Sequence, residues 1–114
     1  MDSPTVVRAL GALAHEHRLA AYRLLVQAGP QGLAAGALSE SLGIAPSSLS
    51  FHIAQLANAG LVSQRRNGRS ILYAADYAAM GALMGFLTEN CCGGQACVPA
   101  AACNPPESKE RDVA

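Results

Sequence analysis

Apolar residues recur at helical spacing through the first ninety positions, broken by short joints. Val6, Val7, Leu10, Leu13 and Ala14 form one stripe. Ser3-Pro4 opens it, a hydroxyl N-cap followed by proline at the first helical position. A second helix is predicted over about Glu16–Ala28, with Leu19, Tyr22, Leu25 and Val26 inward and Gly29-Pro30 ending it. A third fits Ala35–Leu42, with Leu38 and Leu42 buried and Gly43 as its C-cap. Beyond Ile44-Ala45-Pro46, Leu49, Ile53 and Leu56 stand at i, i+4 and i+7 and make the next stripe. Ser48, His52 and Gln55 are read as another face, with Ser47 and Ser50 near it. Two short helices joined by a glycine-containing turn predict a helix-turn-helix, whose second member is the recognition helix.

The period then changes. Leu61–Arg66 and Arg69–Ala74 flank Asn67-Gly68, the strongest short hairpin signal, since a type I′ turn needs positive φ at both central residues. That loop would set Arg66 opposite Arg69, Gln64 opposite Ile71 and Val62 opposite Tyr73, with arginines at the tip and apolar pairs at the base. A last helix is predicted over Asp76–Asn90, with Tyr77, Met80, Leu83, Met84 and Leu87 on one broad face. Gly81 and Gly85 weaken it and would let another helix approach. The fold class is therefore mainly α with a β-hairpin: a winged helix-turn-helix with an extra helix at each end. From Cys91 onward the chain has Gly93-Gly94, Pro99 and Pro105-Pro106 and little apolar periodicity. The expected division is a winged helix-turn-helix domain over 1–90 and a cysteine-containing flexible tail over 91–114; the family resemblance given below makes the first a DNA-binding and dimerisation domain.

Composition narrows the chemistry. At 114 residues, 51% hydrophobic and 14% charged, the chain has the apolar share for one packed domain. Eight basic residues balance eight acidic ones, so any nucleic-acid binding must come from a local patch. Arg65, Arg66 and Arg69 supply one, because like charges crowded at a hairpin tip repel unless a polyanion meets them. The apolar run Tyr77–Leu87 is shorter than the roughly 20 residues of a membrane span. Met1-Asp2-Ser3-Pro4 carries no basic, then apolar, leader pattern, so a cytoplasmic location and no membrane partner are expected. All four cysteines, Cys91, Cys92, Cys97 and Cys103, fall in the last quarter, a local cluster rather than a disulfide framework.

The stretch SSLSFHIAQLANAGLVSQRRNGRSILYAA, residues 47–75, resembles the recognition helix and wing of the arsenic-repressor (ArsR/SmtB) family of bacterial metal-responsive regulators. The features that carry the resemblance are Ser47, Ser50 and His52 at Ser-x-x-Ser-x-His spacing, the Ala59–Val62 join and the Arg-Asn-Gly-Arg hairpin. It spans about residues 5–90. It implies a homodimer joined through the first and last helices, which represses transcription until an inducer ion binds. Two family sites do not carry over. The helix before the recognition helix has no cysteine, and the last helix has no histidine. An inducer site would then be the tail cysteines, and Asn90-Cys91-Cys92 resembles the arsenic-binding cysteines that some members carry at the end of the last helix.

The expected DNA contacts are Ser47, Ser48, Ser50, His52 and Gln55 on the helix and Arg65, Arg66 and Arg69 on the wing, using phosphate and base-edge chemistry. A dimer would place its two recognition helices in successive major grooves, roughly 34 Å apart. Thiolates are soft ligands, and trivalent arsenic takes three of them. Cys91 and Cys92 are the first expected ligands, Cys97 the third and Cys103 the least favoured. Through the same cysteines the chain would alternatively sense redox state or another thiophilic ion, namely antimonite, bismuth or zinc. Adjacent cysteines fit a four-cysteine zinc site poorly. His15 and His17 read as structural or solvated, and Met80 and Met84 as core or interface. Thiol-based arsenate reduction usually places an arginine six residues beyond the reactive cysteine. Here those positions beyond Cys91, Cys92 and Cys97 hold Cys97, Val98 and Cys103, so no enzyme is expected.

Overall fold

A computed structural model describes residues 1–94 of the chain. The order is α1 (Ser3–Leu13), α2 (Glu16–Ala28), β1 (Leu33–Ala34), α3 (Ala35–Leu42), α4 (Pro46–Asn58), β2 (Val62–Asn67), β3 (Ser70–Ala75) and α5 (Tyr77–Leu87), then a 3₁₀ turn at Cys91–Gly94. This is the expected winged helix-turn-helix with a helix at each end. The predicted division at residue 90 falls just after α5, and most of the expected tail lies outside the described residues.

One core joins every helix to the hairpin base. Leu25, Leu38, Leu49, Ile53, Leu56 and Leu61 are its largest fully buried side chains, each contributing about 1.5–3 kcal/mol by leaving water. Val6 and Ala9 of α1, Tyr73 and Ala75 of β3 and Leu83 of α5 complete it. The join between α3 and α4 is held from inside. Gly43 adopts the left-handed conformation at φ 68° and its N–H donates to the Ser39 carbonyl. The buried Ser39 hydroxyl donates to the Ile44 carbonyl at 2.9 Å, so the turn between the two helices is bonded on both sides.

The start of α1 lies one residue from its expected position. Asp2, not Ser3, is the N-cap, and its carboxylate accepts from Thr5 N–H at 3.1 Å. That bond holds the Asp2 carboxyl below its ordinary pKa. The inward faces also differ from expectation. Val7, Leu10 and Leu19 are exposed, whereas Val6 and Ala9 are buried. The stripe of α1 that packs is rotated, because its neighbours within one chain reach only that side.

The hairpin register is shifted by two residues. Arg66 pairs with Ile71, Arg65 with Leu72, Gln64 with Tyr73 and Val62 with Ala75. The two-residue loop is Gly68-Arg69, not Asn67-Gly68. Gly68 takes φ +66° and Asn67 does not leave the negative region, which is the Gly-first pattern of a type II′ hairpin rather than type I′. A shift of two preserves which face each side chain takes. The sheet has a third strand that the sequence pattern does not reveal: β1 pairs antiparallel to β3, in the order β1-β3-β2. Gly32 makes this possible, at φ +77° with no room for a Cβ against the Tyr73 carbonyl.

α5 is shorter than the expected 76–90. Asp76 caps it by accepting from Ala79 N–H at 3.0 Å, and it ends at Thr88, whose hydroxyl donates to the Met84 carbonyl. The Tyr77 hydroxyl donates to the Val26 carbonyl at 2.9 Å, fixing the start of α5 to the end of α2.

Candidate nucleic-acid interface

Polar and basic groups stand exposed on α4, on β2 and in the hairpin turn. Pro46 starts α4 at a position where its missing N–H costs nothing. Ala45 precedes it and provides no side-chain cap, and the first turn has no acid. The partial positive charge of this helix start is left for an outside anion. Ser47, Ser48 and Ser50 are exposed in that first turn and a half, and Gln55 is half-buried further along.

His52 stands apart from these residues and corrects the expectation. It is only 9% exposed and points back toward α2, where its ring lies 4.6 Å from that of His15 and 5.6 Å from that of His17. The reason is visible in the spacing. Leu49, His52, Ile53 and Leu56 stand at i, i+3, i+4 and i+7, so the histidine completes the buried stripe rather than the polar face. Burial lowers its pKa from the usual 6.5, with further lowering by His15, Arg18 and His17.

The outward face of α4 is centred instead on Ser47, Ser50, Phe51, Ala54 and Asn58. Phe51 is 60% exposed and was missed by a reading that looked for polar groups alone. The signal was the same period: a residue two positions after Leu49 and two before Ile53 must point away from the core. A solvent-facing aromatic amid serines has an apolar edge to offer, such as contact with a thymine methyl.

On the wing, Arg66 and Arg69 are exposed, Arg69 within the turn itself. Arg65 is exposed too, but its Nη2 donates to the Gln31 carbonyl at 3.3 Å, tying β2 to the loop after α2. The serines at the start of α4, Phe51 and the arginines are thus exposed groups on a helix and on the hairpin whose β2 strand packs against that helix. At the other end of the chain, Cys91 is half-buried and Cys92 exposed, in the turn that follows α5. Asn90, Cys92 and Gly93 all have positive φ, so the chain bends sharply there. Cys97 and Cys103 lie outside the described residues. Among the described residues no group of three ligating side chains is placed to hold a metal ion, and no helix is long and apolar enough to cross a membrane.

Residues 13–65 match the model of a helix-turn-helix domain family. The chain is 32% identical to the nodulation protein NolR of Rhizobium meliloti over 88 residues, 77% of this chain and 70% of that one. It belongs to the ArsR-like winged helix-turn-helix family of transcriptional regulators. Among solved structures of this family, HlyU from Vibrio cholerae N16961 is 30% identical at a TM-score of 0.63, covering 75% of this chain and 89% of that one. HlyU has also been solved in a reduced form, 31% identical at a TM-score of 0.59, covering 78% of this chain and 90% of that one. The homodimeric winged helix-turn-helix domain of Mb0332 from Mycobacterium bovis, a possible ArsR-family regulator, is 29% identical at a TM-score of 0.60, covering 76% and 81%. As an ArsR-like regulator the chain carries a helix-turn-helix DNA-binding domain, matched over residues 13–65.

Proposed function

We propose that this ArsR-like regulator is a dimeric repressor that trivalent arsenic releases from its operator. The DNA contacts are Ser47, Ser48, Ser50, Phe51 and Gln55 on α4 and Arg65, Arg66 and Arg69 on the wing. His52 is left out because it faces the protein. Serine hydroxyls and the open helix start meet phosphates, while Phe51 and Gln55 meet base edges. The arginines neutralise backbone charge at the flank. Val7 and Leu10 of α1 and Met84 and Leu87 of α5 are exposed apolar residues on helices that touch each other. A second copy would cover them, and the similar Mb0332 domain is homodimeric.

The observation that carries the inducer reading is the position of Cys91 and Cys92, on the sharp turn directly after α5. Their soft donors fit arsenic in chemistry. A sulfur drawn toward a shared ion at that turn pulls on the end of a helix at the proposed dimer seam. Cys97 is assigned as third ligand and Cys103 as its substitute. A coupling of order 1–3 kcal/mol between ion and DNA suffices for regulation.

A second reading is favoured by one observation: HlyU has been solved in a reduced form. The same cysteines would then sense oxidation, or take antimonite, bismuth or zinc. The test is a titration of arsenite against the reduced protein bound to a duplex from upstream of its own gene, with peroxide and zinc in parallel. Release by near-stoichiometric arsenite, lost when Cys91 and Cys92 are replaced by serine, supports the arsenic reading. Release by peroxide alone supports the redox one. Binding indifferent to every reagent overturns both.

A further inference from the structure

The chain has three histidines, and all three meet where α4 crosses the start of α2. His15 caps α2, and its Nδ1 accepts from His17 N–H at 3.1 Å. The rings of His15 and His52 are 4.6 Å apart and tilted by 40°; His17 lies 5.6 Å from each. The rings are packed on one another and are not arranged about an ion. The Nδ1 of His52 is buried and has no hydrogen-bond partner. Neutral imidazole tolerates this if its proton sits on Nε2, since a bare ring nitrogen is then the only polar atom left unpaired. A protonated ring would bury an N–H with no acceptor and a charge with no counter-charge.

The surroundings make that worse. Arg18 is fixed nearby, its Nε donating to the Ala12 carbonyl at 2.6 Å. The groups that act on His52 are His15, Arg18 and His17, and none of them is an acid. Glu16, between the two α2 histidines in sequence, is exposed. Arg8 of α1, Glu40 of α3, and Arg65 and Arg66 of β2 are charged groups on the other elements packed against α4, and none acts on His52.

We propose that the His15–His17–His52 contact is a proton-operated latch. With His52 neutral it holds α4 against α2 and keeps Ser47, Ser50 and Phe51 turned outward. A proton on His52 drives α4 off α2 and lowers affinity for operator DNA in mildly acidic solution. The sign follows from linkage. A histidine whose pKa is lowered in the folded state binds fewer protons folded than unfolded, so its contribution is complete above about pH 6.5 and is lost as pH falls through the folded value. Each unit of lowering is a tenfold preference for the latched form.

The latch rests on α4 being the DNA-reading helix, so its test has a DNA-free arm. Imidazole resonances and amide exchange of the full reduced chain are followed from pH 8 to pH 5. His52 is expected to titrate below pH 6.5, and amide protection in α4 to fall through the same midpoint. Affinity for the upstream duplex is expected to drop between pH 7.5 and pH 5.5, by up to about tenfold, against a scrambled duplex that controls for the general gain of positive charge. His52→Gln, which takes no proton, should show a flat ratio. Arg18→Gln, which removes the fixed cation, should move the midpoint upward. A His52 midpoint at or above 6.5, or α4 protection unchanged across it, overturns the latch. Failure of α4 as the DNA-reading helix would show instead as variants of Ser47 and Phe51 binding like wild type at pH 7.5.

Discussion

Helices α4 and α5 are close in length and opposite in how sequence and burial relate. α4 contains three serines, a histidine and a glutamine, and it buries four residues. α5 reads YAAMGALMGFL, has no charged side chain, and buries only Leu83. The more polar helix is thus the better covered of the two within one chain. A helix apolar on most sides needs cover on most sides. α5 is covered by α1 on one, and Leu87 remains 56% exposed. Exposure therefore has to be read against residue type. On α4 the outward serines call for a polar, anionic partner, and on α5 the outward methionine and leucine call for an apolar one.

The comparison is broken most severely through the core. Leu56→Ala empties a fully buried site on α4 and is expected to cost about 2–5 kcal/mol in chemical denaturation. The matching truncation Leu87→Ala on α5 should cost a small fraction of that in a dilute, monomeric sample. Leu87→Asp tests the other half. Sedimentation should find it monomeric at concentrations where wild type is a dimer, with affinity for the upstream duplex down about a hundredfold as the second half-site contact is lost. On the wing, Arg66→Ala and Arg69→Ala should each lower the slope of log affinity against log salt by about one while leaving thermal stability unchanged. Arg65→Ala should lower both, since that side chain also bonds Gln31. Phe51→Ser is the smallest effect. Stability should stay within about 0.5 kcal/mol for so exposed a site, and discrimination against one changed base pair should fall by about 1 kcal/mol.

The order of elements and the turn between α3 and α4 were legible, because apolar period and glycine position leave few alternatives there. Glu16–Ala28 and Ala35–Leu42 agree with the helices found, down to Gly43 in the left-handed region. Three features were not. β1 is two residues long, too short to show alternation, and exists because β3 offers it an edge. The hairpin turn moved one residue because Gly68 alone takes positive φ, and the dipeptide Asn-Gly does not say which of its residues leads the loop. The orientation of His52 was written in the chain, at i+3 from Leu49, yet chemical type was weighed above period. The exposed side of α1 was legible as apolar but not as uncovered, since the sequence does not say what one chain leaves for another. Of the proposed inducer site, sequence and structure share only Cys91 and Cys92.

The central claim is that two copies present α4 and the wing to DNA under the control of the turn after α5. Footprinting of the upstream duplex by the reduced protein, with and without one equivalent of arsenite, tests it directly. Two protected segments about one helical turn apart, both lost on adding arsenite, are the predicted result. A single protected segment, or two that arsenite leaves in place, would contradict it.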